Sequence, residues 1–89
     1  MKCYSISYDL RNPGRDYSTL ISTLDQWGAV KPLRSDWLLR SDATAVQIRD
    51  ALASLVDAND GVFVATLTGE AAWRKVLCAD AALKAELNG

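Results

Sequence analysis

Apolar and polar residues alternate along the first part of this chain. In residues 2–8 the large side chains Tyr4, Ile6 and Tyr8 share one face of a predicted strand. The other face is small and polar, and it ends in a carboxylate: Cys3, Ser5, Ser7 and Asp9. Such a face can accept a close partner, either a ligand or a second copy of the chain. Asp9 is therefore the residue around which we expect chemistry.

Two segments then show the spacing of amphipathic helices. In the first, Asp16 is a predicted N-cap and Gly28 a predicted stop. Its apolar residues recur at i, i+3, i+4 and i+7: Tyr17, Leu20, Ile21, Leu24 and Trp27. The second opens with a capping box from Thr44 to Gln47. Its apolar stripe comprises Ala45, Ile48, Leu52, Leu55 and Val56.

Three more strands and a last helix complete the prediction. Residues 29–33 contain Pro32, which is typical of a short or edge strand. Residues 37–41 and 62–68 are compact apolar or β-branched runs that favour strands. From Glu70 onward Ala, Leu, Lys and Glu dominate, and this composition predicts a helix to about residue 87.

The predicted order is strand, helix, strand, strand, helix, strand, followed by the C-terminal helix. It corresponds to an α+β, ferredoxin-like β-α-β-β-α-β fold whose antiparallel sheet carries two helices on one face. We expect a single domain over residues 1–89, with its core in residues 2–69. The other sheet face stays open unless the C-terminal helix covers part of it and a two-fold homodimer covers the rest.

Length and composition set further limits. A chain of 89 residues supports one domain with one core. Its 49% hydrophobic and 24% charged residues are ordinary for a globular protein. No apolar run approaches the roughly 20 residues that span a bilayer, so no membrane partner is expected. The N-terminal pattern is that of a strand and not of a signal peptide, which predicts a cytoplasmic location.

The inventory of reactive residues narrows the chemistry. The chain has no histidine, which excludes Ser-His-Asp and Cys-His nucleophile systems and argues against a zinc site. Any metal should therefore have oxygen ligands, which suits magnesium or manganese. The two cysteines, Cys3 and Cys78, are predicted to be free thiols. Residues 1–40 hold six basic and four acidic residues, a bias compatible with a local phosphate-binding surface.

Several short motifs resemble a known family. The run from Tyr4 to Leu10 (YSISYDL), the segment Trp27-Gly28-Ala29 and the element order resemble the CRISPR-associated protein two family and its stand-alone relatives. Residues 35–39 and 66–69 look more like the stand-alone relatives than like the spacer-acquisition subunit. The virulence-associated protein D toxins share this fold. The resemblance covers about residues 2–69.

The resemblance implies a homodimer in which the aspartate after the first strand lies near the two-fold axis. In family members reported as metal-dependent nucleases, two such aspartates, one per chain, hold a magnesium ion. By position Asp9 is that residue, which implies an endonuclease that acts on RNA or DNA. Two departures weaken the link to spacer acquisition. The family's usual third-strand sequence is replaced around Trp37, and the fifth strand that crosses to the partner chain is not evident.

Other residues are candidates for contacts beside Asp9. Arg11, Arg15 and Arg34 are predicted phosphate contacts, because a guanidinium can bind two phosphate oxygens at once. The alternative is that each is a solvated surface residue. Trp37 is predicted to be an exposed or interface aromatic and is the candidate for stacking on bases, whereas Trp27 is predicted to be core. The last candidates are Ser7 and Ser35. They either support the site at Asp9 or only form hydrogen bonds within turns.

Two functions remain open at this stage, and a toxin that cleaves RNA is a third possibility that shares the mechanism of the first. In the first, a homodimer hydrolyses phosphodiester bonds with magnesium at Asp9. In the second, the dimer is a non-catalytic module that binds a protein or a nucleic acid, and Asp9 only stabilises the turn that follows it.

Overall fold

The computed structural model describes residues 1–68 and 70–88, and an antiparallel sheet forms its centre. The strand order across the sheet is β2-β3-β1-β4. The strands are β1 (Lys2–Asp9), β2 (Val30–Leu33), β3 (Asp36–Ser41) and β4 (Gly61–Leu67). The helices are α1 (Ser18–Gln26), α2 (Ala45–Ala53) and α3 (Asp80–Asn88). The predicted α+β class and element order are confirmed, and the arrangement is consistent with a ferredoxin-like fold.

The main core lies between one sheet face and helices α1 and α2. Strand β1 is central, and its Ile6 pairs with Trp37 of β3 and Val64 of β4. Because side chains alternate along a strand, all three face the same helices. The buried residues of this core are Tyr4, Ile6, Leu20, Leu24, Trp37, Leu39, Ile48 and Leu52. The larger alternating residues of β1 therefore form the predicted inner face.

Local signals explain how the two core helices begin and end. The Thr44 hydroxyl accepts the Gln47 N–H at 3.1 Å, and the Gln47 side chain accepts the Thr44 N–H at 2.9 Å. The predicted capping box is therefore confirmed. At the end of α1, Gly28 has φ 80°, a left-handed conformation that glycine adopts without strain. Asp16 accepts the Ser18 N–H at 2.9 Å, yet Tyr17 is the N-cap residue.

The predicted helix over residues 70–87 is wrong in its first half, because α3 begins only at Asp80. The Leu77 N–H donates to the Pro32 carbonyl of β2 at 2.8 Å, and Lys75 has φ 55°. The backbone of this segment is thus used to dock on the sheet, which competes with helical hydrogen bonds. The predicted core boundary at residue 69 lies outside the described residues.

We call the sheet face that carries Cys3, Ser5, Ser7 and Asp9 the second face. The C-terminal segment covers one half of it and builds a small second core there. That core consists of Cys3, Leu38 and Leu83, flanked by Leu67, Trp73, Val76, Cys78 and Leu87. No described residue covers the other half, and Phe63 of β4 is 65% exposed there. In the described part of the chain, no helix is long and apolar enough to cross a membrane.

Candidate functional site

Asp9 ends β1 at the uncovered half of the second face. Its neighbour on β4 is Gly61, so no β4 side chain lies over the carboxylate. The Asp9 side chain is 72% exposed. Its one hydrogen-bond partner among the described residues is Arg11, whose Nε donates to Oδ2 at 3.1 Å. Asp9 is therefore accessible and already accompanied by a cation.

Arg11 lies between Asp9 and the turn that precedes β4. Its Nη1 donates to the Asn59 carbonyl at 2.9 Å, and its backbone N–H donates to Asp60 Oδ1 at 2.7 Å. These bonds fix the guanidinium beside the Asp9 carboxylate. The structure thus brings together Asp9 and the first of the three predicted phosphate contacts.

The other two arginines differ in the contacts that their guanidinium groups make within the chain. Arg15 forms an ion pair with Asp57, and its guanidinium lies 5.6 Å from the centre of the Tyr17 ring. Arg34 is exposed in the turn between β2 and β3, and within the described ranges it makes no hydrogen bond or ion pair. Of the three, Arg34 has the guanidinium that is least committed to its own chain.

The two predicted supporting serines do not contact Asp9. The Ser7 hydroxyl donates to Asp36 Oδ1 at 2.9 Å, and Ser5 donates to the same oxygen at 3.1 Å. Ser35 is exposed, and its carbonyl accepts the Tyr8 N–H at 3.3 Å. The sequence reasoning missed Asp36. The signal for it was the ferredoxin-like strand order, which places β3 beside β1 and sets Asp36 against Ser7.

The predicted exposures of Trp37 and Trp27 are both wrong. Trp37 is 2% exposed, and its Nε1 donates to the Tyr8 hydroxyl at 3.0 Å. Its pairing with Ile6 turns the indole toward the helices, so this fold offers no ring face for a base. Trp27 follows the last turn of α1 and is 38% exposed.

Asp60 joins the two loops beside the site. Its carboxylate accepts four hydrogen bonds, at distances between 2.7 Å and 3.3 Å. The donors are the Arg11 N–H, the Asn12 amide, the Tyr17 hydroxyl and the Asp57 N–H. Desolvation raises the pKa of Asp60, but the Arg11 and Tyr17 hydrogen bonds outweigh it, so the net pKa is lowered. This carboxylate holds the loop after β1 in place.

Replacing Asp60 with Asn is expected to destabilise the protein at neutral pH, because an amide cannot accept all four donors. A lowered folded-state pKa means that the stabilisation is present above the unfolded value of about 3.9 and is lost as pH falls further. The variant should therefore show a smaller loss of stability on acidification than the wild type. Urea midpoints across pH measure both effects.

The matched control for this change is Asp25→Asn, which removes an exposed carboxylate of α1. It should leave the urea midpoint at neutral pH close to that of the wild type. Equal midpoints for Asp60→Asn and the wild type would show that the four hydrogen bonds contribute nothing measurable.

A magnesium site with two protein carboxylates at Asp9 would need two copies of the chain. Within residues 1–68 and 70–88, no three metal-ligating side chains cluster. Mg²⁺ commonly takes one or two carboxylates and completes its shell with water and phosphate oxygens. One copy supplies a single carboxylate with an arginine beside it. Cys3 is no alternative nucleophile, because burial raises the pKa of its thiol.

No protein-family model matches the chain, and no solved structure matches it significantly. The fold itself defines the class, a small α+β protein with a four-stranded antiparallel sheet. In this chain the central strand ends in an exposed carboxylate, Asp9.

Proposed function

We propose that this chain forms a homodimeric, nucleic-acid-associated protein that hydrolyses phosphodiester bonds, with magnesium held between two Asp9 carboxylates. The observation that carries the proposal is the position of Asp9. It is 72% exposed at the end of the central strand, on the half of the second face that the C-terminal segment leaves uncovered. The likeness of the YSISYDL motif to the CRISPR-associated protein two family supports the same role.

The dimer part of the proposal is supported by the surface around Asp9. Ser7 pairs with Phe63 and Asp9 with Gly61, so small residues surround one exposed aromatic side chain. A two-fold axis through this surface would bury both Phe63 rings and bring the two Asp9 carboxylates together. Two neighbouring carboxylates repel each other, and a divalent cation bound between them removes this repulsion.

Within the proposed site, one residue binds the metal ion and two arginines contact the phosphates. Asp9 binds the ion, and Arg11 is placed to hold a phosphate oxygen beside it. Arg34 can contact a neighbouring phosphate, since its guanidinium makes no bond within the described chain. A magnesium ion bound there would supply Lewis-acid activation of the phosphodiester and of the attacking water. The direct test is cleavage of labelled RNA and DNA with magnesium and with a chelator.

Replacing Phe63 with Ser is expected to weaken self-association by about tenfold or more, because burying a Phe contributes about 1.5–3 kcal/mol. Sedimentation equilibrium over a concentration series measures the effect. The control is Val46→Ser, which removes an apolar side chain that is 55% exposed on α2. Equal dimerisation of the Phe63 variant and the wild type would exclude this surface as the interface.

The second candidate is a non-catalytic dimeric module that binds a nucleic acid or a protein. The Asp9–Arg11 hydrogen bond at 3.1 Å favours it, because the carboxylate already has a cationic partner in its own turn. A salt titration distinguishes a module that binds a nucleic acid from one that binds a protein. Binding to a nucleic acid should weaken with a log-log slope of roughly one unit per phosphate contact, whereas an apolar protein interface should respond little to salt.

A further inference from the structure

A second site lies between the second face and the C-terminal segment, apart from Asp9. It is a cavity of 380 Å³. Its floor comes from the sheet, including Leu38 and Leu67, and its roof includes Trp73 and Leu83. Small-molecule sites are typically concave and mostly apolar, with few polar groups, and the volume falls in their usual range. The polar or charged groups of this lining are Ser5, Asp36 and Arg74.

The Asp36 carboxylate has one oxygen that can accept a hydrogen bond from a cationic donor. Its Oδ1 accepts both the Ser5 and the Ser7 hydroxyls, at 3.1 Å and 2.9 Å. Among the described residues no group donates to its Oδ2. No buried side-chain oxygen without a partner occurs among the described residues, so Oδ2 is accessible and can accept a donor from a ligand. An ammonium group on a ligand would supply that donor, and the two serines fix the direction in which the carboxylate points.

Arg74, which carries the opposite charge, also lines this cavity. Across residues 1–68 and 70–88 it forms no ion pair, and in particular none with Asp36. A guanidinium binds a carboxylate through two parallel hydrogen bonds. The mostly apolar lining therefore includes one acid and one base that form no ion pair with each other.

We propose that this cavity binds a free apolar α-amino acid. Asp36 accepts the α-ammonium group, Arg74 binds the α-carboxylate, and the apolar lining encloses the side chain. Both charges of the zwitterion are needed, because the cavity offers a counter-charge to each. The site lies on the covered half of the second face, so the inference does not rest on the proposed chemistry at Asp9.

The first test uses the wild-type protein and four ligands. L-Leucine and L-phenylalanine should give saturable NMR shifts at residues of the cavity, including Ser5 and Trp73. N-acetyl-leucine lacks the ammonium group and leucinamide lacks the carboxylate, so each should bind about tenfold or more weakly than leucine. Absence of a saturable shift with either free amino acid, or equal binding of N-acetyl-leucine, would overturn the proposal.

The second test uses matched variants. Asp36→Asn keeps the size of the side chain and an oxygen that can accept from the serines, and Arg74→Gln removes the cation. Each should weaken leucine binding by about tenfold or more. The control Arg49→Gln removes an exposed arginine of α2 that lies outside the cavity, and it should bind leucine as the wild type does. Wild-type affinity in both cavity variants would overturn the assignment. If a variant fails to fold, the test with the four ligands on the wild-type protein decides the question instead.

Discussion

Replacing Asp9 with Asn is expected to lower magnesium-dependent cleavage by about a hundredfold or more, the equivalent of several kcal/mol of transition-state stabilisation. The amide keeps the size of the side chain but loses the charge that a divalent ion requires. Asp9 is 72% exposed and bonds to one residue, Arg11, among those described. Because so little packing depends on the carboxylate, the fold should survive the change.

The measurement is the rate of cleavage of labelled RNA and DNA over a magnesium series. Circular dichroism and sedimentation should show an unchanged fold and an intact dimer. Asp25→Asn is the matched control, since it removes an exposed acid on α1 and should cleave at the wild-type rate. Undiminished cleavage by the Asp9 variant would falsify the assignment of this residue.

The same experiment separates the two proposed functions. A wild-type protein that binds nucleic acid with a steep salt dependence but cleaves neither RNA nor DNA would select the non-catalytic module. In that case Asp9→Asn should act through Arg11, because the guanidinium would lose its counter-charge and be freer to meet phosphates. Binding would then become tighter, the opposite of what the loss of a metal ligand produces.

The parts of the fold that the sequence predicted are those that local interactions decide. Thr44 and Gln47 cap α2 within four residues of chain, and Gly28 ends α1 through its own backbone. Alternation in β1 placed Tyr4 and Ile6 inside. The helix predicted from residue 70 failed where a distant partner intervened, since the Pro32 carbonyl holds the Leu77 N–H.

The candidate site was predicted only in part, because some of its contacts are local in sequence and others are not. Asp9 and Arg11 are two residues apart, and their proximity follows from the turn after β1. Asp60 is 49 residues from Arg11, and Asp36 is 29 residues from Ser7, so both contacts exist only once the sheet has formed. Composition gave no reason to single out either carboxylate. Strand pairing, and not local pattern, makes them central.

Replacing Trp37 with Ala is expected to reduce the free energy of unfolding by about 3–5 kcal/mol. The indole is 2% exposed and packs in the main core, so its removal leaves a large cavity. The Tyr8 hydroxyl also loses the hydrogen bond from Nε1 at 3.0 Å. Native domains have a total stability of about 5–15 kcal/mol, so this loss is a large fraction of the total.

Urea denaturation followed by circular dichroism measures the change, and Trp27→Ala is the control. Trp27 is 38% exposed at the end of α1, so its loss should cost about 1 kcal/mol, the average for point substitutions. The comparison also decides between two roles for Trp37. A base-stacking residue on the surface would lose affinity for nucleic acid and keep its stability. Because Trp37 pairs with Ile6 at the centre of the sheet, we expect stability to fall first. Any loss of affinity should then follow the fraction of unfolded protein.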